Sequence, residues 1–177
     1  MIRLFAALGL PPEITAGLIR RQTGVDAARW RPPDSLHVTL RFFGDLREDV
    51  AHDLDGELGQ ITGEPFHIEL AGVGAFGEGR DIHAIWAGVA DNPALARLAK
   101  ACETAARRAG LRGETRRYRP HVTMAYLRHA DPAEVAQWVQ ANNLLKSPPI
   151  AVDRFGLYSS HQTKDGSQYR LEAEYAL

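Results

Sequence analysis

The sequence predicts an α+β fold: a single domain over residues 1–177, built as two pseudo-symmetric lobes of mostly antiparallel strands with outer helices and a candidate active-site cleft between them. Three observations lead to it. Short apolar runs of strand character alternate with segments of helical spacing along the whole chain. The tripeptide His-Val-Thr occurs twice, in "LHVTLR" from Leu36 and in "RPHVTM" from Arg119, with the two histidines 84 positions apart in a chain of 177. Each copy also leads into the same succession of strand, turn and acidic helix start, "HVTLRFFGDLREDV" and "HVTMAYLRHADPAEV". A duplicated lobe is the simplest source of such a half-chain repeat.

Taken in order, "IRLFAAL" reads as a buried strand ended by Gly9 and a double proline, and Ile14, Leu18 and Ile19 mark a helix stopping at Gly24. "PDSLHVTLRFFGDL" is a strand bounded by Pro33 and Gly44, followed by a helix on which Val50, Leu54, Leu58 and Ile61 recur. "PFHIELAGVGAF" and "DIHAIWAGVA" are expected to pair across the "GEGRD" turn. Asn92 caps the next helix and Pro93 opens it, with Leu95, Leu98, Cys102, Ala105 and Ala109 along one face. After the "RPHVTMAYL" strand, Asp131 caps a helix begun by Pro132, and Glu134 is spaced to complete a capping box. The tail reads as a hairpin in which Tyr169, Leu171, Ala173 and Tyr175 alternate with polar neighbours.

Composition limits the function classes. The chain is 45% hydrophobic and 24% charged, as expected of a globular protein, and no apolar run reaches the ~18 residues of a membrane span. The start "MIRLFAALGLPPE" meets two prolines and an acid too early for a signal peptide, so a cytoplasmic location is expected. The single cysteine, Cys102, excludes an internal disulfide and reads as an apolar helix position. A formal net charge of -1 supplies no global field for nucleic acid, so any such contact must be local. Arg107, Arg108, Arg112, Arg116, Arg117 and Arg119 crowd the approach to the second His-Val-Thr; the first two suit a helix C-terminus, while Arg116, Arg117 and Arg119 are candidates for phosphate contact.

Alternation along a strand puts His37 beside Thr39 and His121 beside Thr123, with Val38 and Val122 turned to the core. Seven histidines and eight threonines would give roughly 0.3 His-x-Thr matches by chance, so two in matching context point to one site. Two imidazoles and two hydroxyls suit in-line displacement at phosphorus: a neutral imidazole takes the nucleophile's proton, a protonated one supplies the leaving oxygen, and the hydroxyls hold phosphoryl oxygens. No metal or other cofactor is needed. Two histidines in opposite protonation states predict a bell-shaped pH profile centred near about 6.5. Arg41 shares the face of His37 and Thr39 if the strand stays regular that far. His67 and His83 fit a half-exposed sheet face, and His52, His129 and His161 read as surface residues. Trp30, Phe43, Phe76, Trp86 and Tyr158 are aromatics near the cleft, none singled out for base stacking.

The paired His-x-Thr motifs resemble the 2H phosphoesterase superfamily. "RLFAAL", "SLHVTLRFFGDL", "RPHVTM", "FGLYSS" and "YRLEAEYAL" are similar to its RNA 2',3'-cyclic phosphodiesterase branch, also called 2'-5' RNA ligase, over essentially the whole chain. The resemblance implies hydrolysis of RNA ending in a 2',3'-cyclic phosphate to a 2'-phosphate, and allows ATP-independent 2'-5' ligation as the reverse-type reaction. It implies His37 as proton donor to the leaving 3'-oxygen, His121 as acceptor from water, and Thr39 and Thr123 as phosphate ligands. Relatives often carry an arginine five residues after the second histidine, where this chain has Tyr126; Arg119 or Arg41 would then take the charge-neutralising role. A metal-dependent hydrolase and a non-catalytic RNA-end-binding module are the competing readings.

Overall fold

A computed structural model describes all residues, Met1–Leu177. Its strands form two four-stranded antiparallel sheets and one small pair. The first sheet has the order β10-β9-β1-β3, from β1 (Ile2–Gly9), β3 (His37–Leu46), β9 (Arg154–Thr163) and β10 (Gly166–Ala176). The second has the order β2-β7-β6-β5, from β2 (Ala28–Trp30), β5 (Leu70–Phe76), β6 (Ala84–Val89) and β7 (His121–Leu127). Each sheet therefore carries one His-Val-Thr strand. The lobes are not the two halves of the chain, because β2 crosses into the second sheet and the C-terminal β9 and β10 complete the first.

Four helices complete the fold: α1 (Pro12–Ile19), α2 (Glu48–Leu58), α3 (Pro93–Arg108) and α4 (Pro132–Asn142). Helix α2 packs on β1 and α3, α3 on β3, and α4 on β5. Leu54 and Leu58 of α2 and Leu95, Cys102 and Ala106 of α3 have no exposed surface, and they join Val38, Val122 and Met124 in one continuous core of 33 buried residues. The motif strands are thus anchored by the residues that alternate with the histidines and threonines. Burial pushes the Cys102 thiol up to about 12, which leaves it an inert packing group.

Several expectations change in detail. Helix α1 ends at Ile19, five residues before Gly24. Pro33–Ser35 forms a 3-10 turn ahead of β3, and β3 continues through Gly44, whose φ of 84° marks a bulge rather than the end of the strand. Phe66–Ile68 is a separate strand, β4, which pairs with β8 (Ile150–Val152) instead of extending β5. Asn92 caps α3 as expected, its Oδ1 accepting from the Leu95 amide at 3.0 Å. Asp131 caps α4 by accepting from the Ala133 amide, but Glu134 accepts from the Asp26 amide at 3.1 Å and closes no capping box. In β10 a bulge at Glu172 breaks the alternation. Tyr169 faces Phe5 and His37, whereas Tyr175 packs on Phe155 and donates to Asp55 of α2.

Gly88 of β6 lies opposite His121, and a Cβ there would meet the Ala71 carbonyl oxygen at 2.6 Å. Because that oxygen is backbone, it cannot swing aside. Gly88→Ala is expected to destabilise the protein by about 1–3 kcal/mol, read as a lower urea midpoint at unchanged slope.

Candidate active site

Strands β3 and β7 approach each other across the cleft, with Cα atoms within 8 Å. Their geometry matches residue by residue. His121 Nδ1 lies 2.7 Å from the Arg119 carbonyl oxygen, two residues back, and at His37 the backbone of Ser35, also two residues back, favours the protonated ring. A carbonyl can only accept, so the nitrogen facing it carries the proton and Nε2 is left for chemistry. His37 Nε2 is 3.0 Å from Thr39 Oγ1. The Thr123 hydroxyl has no hydrogen-bond partner within the protein and remains available to a ligand.

Both strands then bulge at the same offset. In β3, Thr39 pairs with Ala7 but Arg41 pairs with Ala6, so Leu40 is the extra residue; in β7, Thr123 pairs with Trp86 but Ala125 pairs with Ile85, so Met124 is extra. Each bulge reverses the alternation. The fourth residue after each histidine, Arg41 or Ala125, turns inward, and the fifth, Phe42 or Tyr126, emerges on the cleft side, 58% and 46% exposed. This corrects the placement of Arg41: its strand does not stay regular, and its guanidinium is drawn away from His37 to Glu103 of α3 at 2.5 Å, to the Arg112 carbonyl at 2.9 Å and to the Phe42 carbonyl. Tyr126 is the counterpart of Phe42, not of Arg41.

Glu103 also binds Arg107 and the Glu114 amide, which ties the arginine-rich loop to α3. The three contacts hold its carboxylate below the usual range against the opposing effect of burial. At the far end of that loop, the Tyr118 hydroxyl donates to the Thr39 carbonyl at 2.9 Å and so couples the approach to His121 with the backbone beside His37. Burial raises the Tyr118 phenol, which keeps it a donor. The Arg119 side chain is exposed, with no partner in the protein, one residue pair from His121. Arg116 reaches only Glu114, at 3.6 Å, and Arg117 is exposed.

Aromatic rings floor both sides. Phe5, 1% exposed, stacks on His37 at 4.9 Å and contacts Phe42, Tyr158 and Tyr169. Opposite, the edge of Phe76 meets His121 at 4.9 Å, and Trp86 lies 6.2 Å away. A cavity of about 660 Å³ opens beside His37 between α1 and the rings of Tyr158 and Tyr169. Of the aromatics noted in the sequence, Phe76, Trp86 and Tyr158 border the site, whereas Trp30 packs on Trp138 and Phe43 is core. His83 stacks beside Phe76 at the margin, and His67 lies on β4, outside both main sheets.

Sequence reasoning missed Phe5, Phe42, Tyr118, Tyr169 and Arg31. Arg31 follows β2, a three-residue strand without a clear alternation signal, and its charge acts on His37. Burial is the main reason that the His37 imidazole is pushed down to about 4; the Ser35 hydrogen bond opposes this, and the charges of Arg31 and His121 add to it. No third His, Cys, Asp or Glu joins the two imidazoles in a group able to hold a metal ion.

Two facing sheets, each presenting a bulged His-x-Thr strand to a shared cleft, are the architecture of a two-histidine phosphoesterase. Residues 11–164 match the model of the 2'-5' RNA ligase superfamily, and the chain belongs to that family. It is similar to the RNA 2',3'-cyclic phosphodiesterase of Archaeoglobus fulgidus, 28% identical over 172 residues that cover 96% of this chain and 97% of the relative. The Escherichia coli K12 protein of the same name is 30% identical over 184 residues, covering 99% and 96%. Among solved structures, E. coli LigT complexed with 3'-AMP superposes with a TM-score of 0.79 at 28% identity, over 99% of this chain and 98% of that one.

Proposed function

We propose that the protein hydrolyses RNA 2',3'-cyclic phosphate ends to 2'-phosphomonoesters without a metal ion, through its paired His-x-Thr strands. The observation that carries this reading is the matched placement of His37 and His121, each at the start of one of two neighbouring strands, each with a threonine two residues on and ahead of a bulge at the same offset. Water attacks phosphorus while His121 Nε2 takes its proton; the bond from phosphorus to the 3'-oxygen breaks, and protonated His37 gives its Nε2 proton to that oxygen. Thr39 and Thr123 hold the non-bridging oxygens. The exposed Arg119 meets the RNA phosphate beside His121, and the cavity against Tyr158 and Tyr169 accommodates the terminal nucleoside. With an RNA 5'-hydroxyl in place of water, the same bond changes yield a 2'-5' linkage without ATP.

Incubation with a short RNA ending in 2',3'-cyclic phosphate, chelator present, is expected to give a 2'-phosphomonoester resonance by phosphorus NMR. A 3'-phosphate product, or turnover abolished by the chelator, defeats the proposal. Tight binding of the RNA end without turnover would instead favour a binding module.

A further inference from the structure

We propose that Arg31 is a second phosphate-binding cation of this site besides Arg119, its guanidinium held between the two lobes by the rings of Tyr126 and Tyr169; the proposal rests on the phosphoesterase reading above. The Arg31 backbone is fixed twice: its amide donates to the Met124 carbonyl at 2.9 Å, and its carbonyl accepts from Gln22 Nε2 at 2.8 Å. Met124 is the bulge residue that follows Thr123, so Arg31 sits one strand spacing, about 4.8 Å, from the second motif. Its Cζ lies 5.2 Å from the centroid of the Tyr126 ring and 5.7 Å from that of Tyr169. One of its N–H groups donates to the Tyr169 hydroxyl at 3.2 Å, and the Tyr169 ring is 5.3 Å from the His37 ring.

The bonding of this guanidinium is incomplete in a way that Arg41's is not. Arg41, the other half-buried arginine beside a motif, is neutralised by Glu103. Arg31 has no carboxylate within 4.0 Å and makes a single side-chain hydrogen bond, so most of its five N–H donors lack an acceptor. Two tyrosine faces orient the fork without cancelling its charge. A partly desolvated, oriented and unpaired guanidinium is matched by an anion that accepts two parallel hydrogen bonds, and a phosphoryl group between the histidines supplies one. The charge already reaches His37, where it opposes protonation. A bound phosphate screens that charge and lets His37 take up the proton that it must deliver.

The test compares the parent protein with Arg31→Met and Arg31→Lys by calorimetric titration with adenosine 2'-monophosphate, fold checked by circular dichroism. Methionine keeps an apolar stem against the tyrosines and removes the charge. Arg31→Met is expected to weaken binding roughly 10- to 100-fold and to raise KM for the cyclic-phosphate RNA, with Arg31→Lys recovering part of both. Undiminished binding by a folded Arg31→Met protein overturns the proposal, as does Arg31→Lys behaving no better than Arg31→Met. The direct titration separates the two readings. A parent that binds the nucleotide through Arg31 yet leaves the cyclic end intact defeats the hydrolytic function but keeps the anion site, whereas an active Arg31→Met protein with unchanged KM and undiminished nucleotide binding does the reverse.

Discussion

Replacing either histidine with alanine is expected to lower kcat on cyclic-phosphate RNA by roughly 10²- to 10⁴-fold, and the double variant by little more than the worse single one. The losses should not add, because proton removal and proton delivery belong to one displacement at one phosphorus. Folding should survive, since the strands are anchored by Val38, Val122 and Met124, all at 0% exposure, while the imidazoles face the cleft. The two variants can be told apart chemically. If His37 protonates the departing 3'-oxygen, a substrate with sulfur at that position, whose leaving thiolate needs no proton, should restore much of the turnover of His37→Ala and little of that of His121→Ala. Full activity in either alanine variant removes the two-histidine mechanism, and rescue of His121→Ala instead of His37→Ala exchanges their roles.

The parts of this site legible in the sequence were those that depend on one strand at a time. Alternation places His37 with Thr39 and His121 with Thr123 because the side-chain period is two and both pairs precede the bulge. The same rule fails one residue later. Arg41 was expected beside Thr39, but an extra residue in β3 turns it onto Glu103, and nothing in "HVTLRFF" marks the bulge. Arg31 was hidden for a different reason: β2 is three residues long, and its pairing with β7 depends on contacts about a hundred positions apart. Phe5 and Tyr169 read as ordinary strand aromatics until the sheet order β10-β9-β1-β3 brings both onto His37. With both bulges in place, the two-lobe symmetry extends through Phe42 and Tyr126, and it is broken by Arg31, which approaches Tyr126 from the neighbouring strand.

Folding stability should fall as pH drops from about 6.5 to 4, and much of that slope should vanish in His37→Phe. Burial against Phe5 and Tyr169 pushes the folded imidazole down to about 4, while an unfolded chain returns it to about 6.5. Within that window the unfolded state binds a proton that the folded state refuses, so stability is fully present above about pH 6.5 and is lost as pH falls toward 4. Two and a half units correspond to about 3 kcal/mol at most, reduced by the water that reaches the cleft. Phenylalanine keeps the ring stack and removes the titration. Urea unfolding of both proteins at pH 7 and pH 4.5 measures the difference, and equal losses would disprove the burial argument. The same shift changes the kinetic expectation of a bell centred near 6.5. Free protein at neutral pH holds His37 uncharged, and only a bound phosphate, by offsetting burial and screening Arg31, favours the imidazolium. The His37 limb of kcat, which reports the complex, should therefore lie at higher pH than the same limb of kcat/KM, which reports the free protein. Coincident limbs would mean that the proton is not taken up with the substrate.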